Sequence, residues 1–172
     1  MLYKTLFLSF FSSSVFAAQL VAGLGVYSWQ EKVNTGTLYT VPTANASFNS
    51  YGPSIGFDNL IALRYRLAGS ISYHSGTVDT IRKGSVTTSQ RFNYTAYWFT
   101  GKVLYRLTRA FAVGPQIGYG QNMIKGLSDT TSLGQFISFD YELFKELNLS
   151  QSIGSVGDSQ QMAYFIKLER QF

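Results

Sequence analysis

The single histidine of the chain, His74, stands two residues after Ser72 in the segment Ser-Tyr-His-Ser-Gly. A histidine that reaches a serine hydroxyl can act as its general base when a carboxylate orients the imidazole ring. No suitable carboxylate accompanies this pair locally, so a polar pair inside a protein core is the favoured interpretation. One histidine without any cysteine gives little support to a metal centre. Neither a metal nor a cofactor is expected.

A second candidate for chemistry is the pair Asp140 and Glu142, which are two residues apart and therefore share one face of a β-strand. Paired carboxylates can serve as a general acid and a general base. The same face of the neighbouring segments also carries arginine and lysine, which favours ion pairs over catalysis. The predicted lumen charge set is Asp58, Arg64, Arg66, Lys102, Arg106, Asp140, Glu142, Lys167 and Glu169. Its five cations and four anions nearly cancel, as a closed interior of low dielectric requires.

These side chains must be positioned by β-strands, because apolar and polar residues alternate through most of the chain. Three segments repeat one plan, in which two alternating runs flank a tight polar turn: Ile61–Gly76, Val103–Gly120 and Phe139–Ser155. A first strand at Leu20–Trp29 and a last strand at Gln161–Phe172 bring the total to eight. The longer polar connections are predicted at Glu31–Ser50, Thr80–Gln90, Gln121–Thr130 and Gly157–Gln160. The pattern predicts an all-β, eight-stranded antiparallel up-and-down barrel with both chain ends on one side.

Alternation assigns two faces to this barrel, one apolar and one that carries the charge set. In a transmembrane barrel the apolar face meets lipid, whereas in a soluble lipocalin-like barrel it lines a ligand cavity. Aromatic residues gather near the strand ends, as they do at the two interfaces of a membrane barrel. Examples are Tyr65, Tyr105, Phe111 and Tyr141 near the short turns, and Tyr73, Phe99 and Tyr119 towards the long connections. This favours the transmembrane arrangement, with the charged face packed inside.

The composition limits the classes of function. Lys and Arg number 14 against 9 Asp and Glu, for a formal net charge of +5, but the basic residues are scattered along the chain. A nucleic-acid partner is therefore not expected. The chain has no cysteine, which excludes disulfide bonds and thiolate chemistry. Beyond the N-terminal stretch, no apolar run approaches the roughly 20 residues of a membrane-spanning helix.

Met1–Ala17 has the pattern of a secretory signal peptide. Lys4 supplies the positive start, an apolar stretch begins at Leu6, and Val15 and Ala17 offer small residues before a cleavage site. Cleavage near Ala17 leaves residues 18–172 as one domain. A membrane-anchor helix is the disfavoured alternative, because serines interrupt the short apolar stretch.

The final strand ends on an aromatic residue, and three other residues precede it in the same phase. The set is Tyr164, Ile166, Leu168 and Phe172. This ending resembles the C-terminal insertion signal of bacterial outer-membrane β-barrels, except that Arg170 occupies a site that is usually apolar. Together with the leader and the strand pattern, most of the chain resembles the small OmpA/OmpX-type outer-membrane barrels. The resemblance implies an integral protein of the Gram-negative outer membrane that the barrel-assembly machinery inserts.

The expected role is structural or surface-interacting, because an eight-stranded barrel leaves an interior just wide enough for side chains. A narrow channel for small solutes, an outer-membrane lipid-modifying enzyme and a soluble lipocalin-like ligand-binding barrel are the alternatives. The expected partners of this monomer are outer-membrane lipid and lipopolysaccharide. Four cations near the rim are candidates for lipopolysaccharide contacts: Arg82, Lys83, Arg91 and Lys125. The first long connection, which contains Phe48, is expected to form an adhesive or lid surface.

Overall fold

The chain forms a closed β-barrel in the computed structural model, which describes residues 18–34, 43–82, 88–159 and 161–172. The strands are β1 (Gln19–Asn34), β2 (Thr43–Ala62), β3 (Tyr65–Arg82), β4 (Thr88–Arg106), β5 (Phe111–Ile124), β6 (Thr130–Phe144), β7 (Leu147–Val156) and β8 (Ala163–Gln171). Each strand pairs antiparallel with the next, and β8 pairs with β1. The predicted eight-stranded up-and-down barrel is confirmed. Met1–Ala17, assigned above to a signal peptide, lies outside the described residues.

Helices do not cross a membrane in this structure: within the described ranges, none is long and apolar enough to do so.

The two ends of the barrel differ in the length of their connections. Short turns join β2 to β3, β4 to β5 and β6 to β7, and they lie at the same end as the two termini of the described chain. The strands reach further towards the opposite end than the sequence predicted. β1 continues to Asn34 and β2 already begins at Thr43, inside the predicted connection Glu31–Ser50. That prediction was wrong because the residues are polar where the strand faces water, although their backbones still pair.

A belt of apolar side chains surrounds the barrel nearest the short turns. On β3 it extends from Tyr65 to Tyr73, and on β4 from Tyr97 to Tyr105, so it covers nine residues of each strand. Nine to eleven residues is about the length that a tilted strand needs to span a bilayer. Tyrosines close the belt at both edges, as in the aromatic girdles of membrane barrels. The exterior therefore has the surface of a transmembrane barrel.

Above the upper tyrosines the polarity of the barrel inverts. The outer face becomes polar, for example at Asn45, Asn93 and Thr95, which continue the phase of the belt. The inner face becomes largely apolar, with a buried polar group at Glu31, Asn122 and Ser132, and its buried apolar members are Val33, Ala46, Phe48, Val78, Ile124 and Val156. Phe48 is fully buried there, so its assignment to an adhesive loop was wrong. A polar outer face is the pattern expected for a barrel wall that stands in water.

The wall of the barrel is taller on the side of β1 to β4. β1 pairs with β8 only as far as Ser28 and Tyr164. On the other side, the uppermost pair between β4 and β5 is Tyr94 with Ile124. Both β1 and β4 extend beyond those levels and pair there with β2 and β3. The four taller strands thus leave a step in the rim beside β1.

Candidate functional site

The lower half of the lumen contains a network of buried charges centred on Asp140. Lys102 Nζ donates to both carboxylate oxygens of Asp140 at 2.8 Å and to Ser150 Oγ at 2.9 Å. Arg66 approaches the same carboxylate at 3.7 Å and pairs with Asp58 through two donors. Asp140 is only 2% exposed. Its charge is therefore compensated from β3 and from β4.

A second part of the network lies on β8. Lys167 Nζ donates to Ser70 Oγ at 2.8 Å and lies 3.9 Å from Glu169 Oε1. Glu169 is also 3.9 Å from Lys102, which joins the two parts. We call this set the charge network: Asp58, Arg66, Lys102, Asp140, Lys167 and Glu169. Its three basic and three acidic side chains are equal in number, so their formal charges cancel.

Three residues of the predicted charge set lie elsewhere. Arg64 is exposed in the turn between β2 and β3, and its Nη1 donates to the Tyr105 hydroxyl at 2.8 Å. Its placement in the lumen was wrong because the turn interrupts the alternation before β3 begins. Arg106 and Glu142 line a cavity of about 260 Å³ at the mouth near the short turns. Arg106 there donates to the carbonyl oxygen of Arg109 at 2.9 Å.

Aromatic rings fill the lumen above the charge network. We call them the aromatic plug, and they are Tyr27, Trp29, Phe48, Tyr94, Trp98, Phe136 and Phe165, all 5% exposed or less. The ring centroids of Trp29 and Trp98 are 5.3 Å apart, and Phe165 lies 5.2 Å from Trp98. Most contacts are edge-to-face, the arrangement that aromatic quadrupoles favour. Buried rings thus occupy the lumen at a second level, above the charge network.

The aromatic plug was not predicted from the sequence, although a signal was present. Phe165 is two residues from Lys167, and Trp98 is four residues from Lys102, so both share the inward phase of the charges. Space for the Trp98 indole comes from β5, because a Cβ added to Gly120 would collide with the ring. Small residues opposite a large in-phase aromatic residue would have indicated an inward ring.

His74 and Ser72 are brought together in the lumen, next to the plug. His74 Nε2 and Ser72 Oγ are 2.7 Å apart, and the imidazole stacks on Tyr27 with centroids 3.4 Å apart. Both side chains are at most 1% exposed. Within the described residues, His74 Nδ1 has no hydrogen-bond partner, so no carboxylate orients the ring there. His74 and Ser72 can form one hydrogen bond with each other, but this geometry lacks the third group of a catalytic triad.

The predicted lipopolysaccharide contacts are placed as follows. Arg91 is exposed on the outer face of β4 and pairs with Asp79 at 2.6 Å. Lys125 lines a groove on the outer wall together with Tyr51, Ser75 and Asn93, directly above the upper tyrosines. The structure describes only the backbone of Arg82, and Lys83 lies outside the described residues. The groove at Lys125 thus lies on the outer surface, just beyond the apolar belt.

The last strand presents its two faces to different environments. The apolar set Tyr164, Ile166, Leu168 and Phe172 lies on the outer surface, and each member is 45–67% exposed. The intervening Phe165, Lys167 and Glu169 are buried in the lumen. The Phe172 amide donates to the Leu20 carbonyl at 2.9 Å, which ties the end of the chain to β1. Arg170 also points outwards, 3.9 Å from Glu146.

Comparisons with known proteins agree with this fold. No protein-family model matches the sequence, and no curated protein matches it either. The outer membrane protein OprG of Pseudomonas aeruginosa is similar in structure, with a TM-score of 0.52 and 14% identity over 91% of this chain and 96% of that chain. Ail of Yersinia pestis gives 0.48 and 11% over 90% and 96%. Neisserial surface protein A gives 0.48 and 11% over 91% and 97%. This chain has the fold of a small outer-membrane β-barrel, as the resemblance in its sequence implied.

Proposed function

We propose that this protein is an integral outer-membrane barrel whose role is structural or surface-interacting and involves no transport through its lumen. The observation that carries the proposal is that buried side chains occupy the lumen at two levels, in the charge network and in the aromatic plug. Trp98 and Leu104, on the inner face of β4, are fully buried. The surface that remains for a partner is the outer wall and the rim.

The proposed partners follow from the outer surface. Lipid covers the apolar belt, and lipopolysaccharide headgroups meet the groove at Lys125, where a cation and several hydroxyl and amide groups lie together. The barrel-assembly machinery recognises the last strand, whose apolar face is fully displayed outside. The protein acts as a monomer in this proposal, because the closed sheet offers no edge within the belt.

A narrow channel is the second candidate, and the cavity at the mouth near the short turns is the observation that favours it. This cavity is polar and is lined by Arg66, Arg106 and Glu142. It leads towards the charge network, whose side chains would have to separate for ions to pass. A lipid-modifying enzyme has less support, because His74 and Ser72 are buried and lack an orienting carboxylate within the described residues.

The protein should fractionate with the outer membrane and migrate faster on a gel without boiling than after boiling, because a closed barrel resists detergent until it is heated. Deleting Phe172 should lower the amount of heat-modifiable protein severalfold if the last strand is the insertion signal. Phe144→Ala removes another exposed aromatic ring at the same end of the barrel, so it serves as the control and should assemble normally.

Recovery of the protein in the soluble periplasmic fraction, with no shift on boiling, would contradict the membrane placement. Normal assembly without Phe172 would leave that placement intact and would contradict only the role of the last residue. The two parts of the proposal are therefore tested separately.

A further inference from the structure

A buried carboxylate without a cation lies at the upper end of the lumen. Glu31 is on the inner face of β1, two residues above Trp29, and is 7% exposed. Ser132 Oγ lies 2.8 and 2.7 Å from its two oxygens. Among the described residues, no lysine, arginine or histidine forms an ion pair with it, unlike every acidic residue of the charge network. A charge buried in this way is costly unless something compensates it.

Five short contacts around Glu31 are made by two donors that carry only three protons. Asn122 Nδ2 lies 3.2 Å from Glu31 Oε1, 3.3 Å from Thr130 Oγ1 and 2.7 Å from Ser132 Oγ. An amide nitrogen has two protons for these three oxygens, and the hydroxyl of Ser132 has one for two carboxylate oxygens. Asn122 is fully buried, and its Oδ1 has no hydrogen-bond partner in the described part of the chain. Turning the amide by 180° would bring Oδ1 towards the same point.

Solvent reaches Glu31 through the step in the rim. A cavity of about 320 Å³ adjoins Glu31 where β1 extends above its last pair with β8. Asp158 and Ser159 line this cavity from the connection between β7 and β8, and Asn45 lines it from the outer face of β2, so the cavity opens on the outer side of the wall. Lys32 contributes one cation to the wall, but it is exposed and is adjacent to Glu31 in sequence, so its side chain leaves the strand on the opposite face.

We propose that this cluster binds a hard divalent cation such as Ca²⁺. The ligands would be the Glu31 carboxylate, the amide oxygen of Asn122, and the hydroxyls of Thr130 and Ser132, with Asp158 as a second carboxylate at the entrance. Ca²⁺ takes six to eight oxygen ligands, including carboxylates and side-chain amide carbonyls. One buried carboxylate among neutral oxygens predicts a dissociation constant of about 10⁻⁴ to 10⁻³ M, in the range of extracellular calcium sites.

Such an ion would connect β1 with β5 and β6 across the upper lumen. Glu31 already contacts Asn122, which is 91 positions away in the sequence, and Ser132, which is 101 positions away. The ion would coordinate these oxygens directly, in place of hydrogen bonds for which there are too few protons. It would hold the upper lumen closed at the side where the wall is lower.

Terbium luminescence tests the site on the full protein refolded into detergent micelles and freed of metal with a chelator. Tb³⁺ replaces Ca²⁺ in oxygen sites, and Trp29 is close enough to Glu31 to sensitise its emission. We expect saturable emission on excitation of tryptophan, and loss of that emission when Ca²⁺ is added. Glu31→Gln should weaken binding at least about tenfold, because it removes the buried charge. Asp79→Asn, an exposed carboxylate on the outer wall, is the matched control and should bind as the unmodified protein does.

Asn122→Asp should increase the affinity for the ion, and a misfolded variant would not show such an increase. A second buried carboxylate should tighten binding by about tenfold, because ligand charge sets the affinity of calcium sites. Emission that does not saturate would overturn the site. So would affinity that is unchanged by Glu31→Gln, or that is not increased by Asn122→Asp. This site is independent of the proposed role in the membrane, since a barrel without it can still be inserted and closed.

Discussion

Replacing Lys102 by Met should lower the free energy of unfolding by about 3–5 kcal/mol, because it leaves Asp140 buried without its main partner. Lys102 supplies two of the contacts to that carboxylate at 2.8 Å, whereas Arg66 stands 3.7 Å away and is already paired with Asp58. Urea unfolding of the protein in lipid vesicles, followed by tryptophan fluorescence, measures the change. The plug tryptophans report directly on loss of the folded lumen.

Two further variants show whether the loss comes from the charge. The double variant Lys102→Met with Asp140→Leu should recover much of the stability, because it removes both members of the pair. Arg91→Met breaks the exposed pair with Asp79 on the outer wall and should leave the unfolding midpoint unchanged, because exposed pairs contribute little. A Lys102→Met protein as stable as the original would contradict the charge network.

Replacing Trp98 by Ala should also cost about 3–5 kcal/mol, because a fully buried indole leaves a cavity that its neighbours cannot fill. Trp98 contacts Trp29 and Phe165, and Gly118 and Gly120 on β5 leave it space. The same unfolding experiment measures the loss, and near-ultraviolet circular dichroism should lose the signal of the packed rings.

Phe99→Ala is the matched control for Trp98, because Phe99 is the next residue on β4 and is half-exposed on the apolar belt. Its removal opens no cavity in the lumen, so the loss should be clearly smaller. Equal losses at the two positions would mean that the aromatic plug adds nothing beyond ordinary contact with lipid.

The fold could be predicted from the sequence because its strongest signal is local. Alternation along β3 to β6 fixes which side chains share a face, and short turns such as residues 107–110 set the strand order. The turn at residues 63–64 was not predicted, which is why Arg64 was misplaced. The C-terminal Phe172 indicated that the apolar face of the barrel meets a membrane. None of these inferences needs a contact between distant residues.

The lumen was predicted less completely because its contents depend on which strands face each other. The partners Lys102 and Asp140 are 38 residues apart, and only the closed sheet brings them together. The inward phase of Trp29 and Trp98 was readable, but an aromatic residue suits either face of a membrane strand. Above the belt, a polar outer wall looks like a loop in sequence, which is why the predicted connection Glu31–Ser50 concealed the ends of two strands.

Planar bilayer recording tests the closed lumen most directly. Protein whose folding is verified by heat-modifiable migration is inserted at low salt and at high salt, and the current is recorded across a range of voltages. Closure by the charge network and the aromatic plug predicts no discrete conductance steps at either salt concentration. Reproducible steps whose size changes in an Arg106→Ala variant, at the mouth of the lumen, would contradict closure and establish a channel instead.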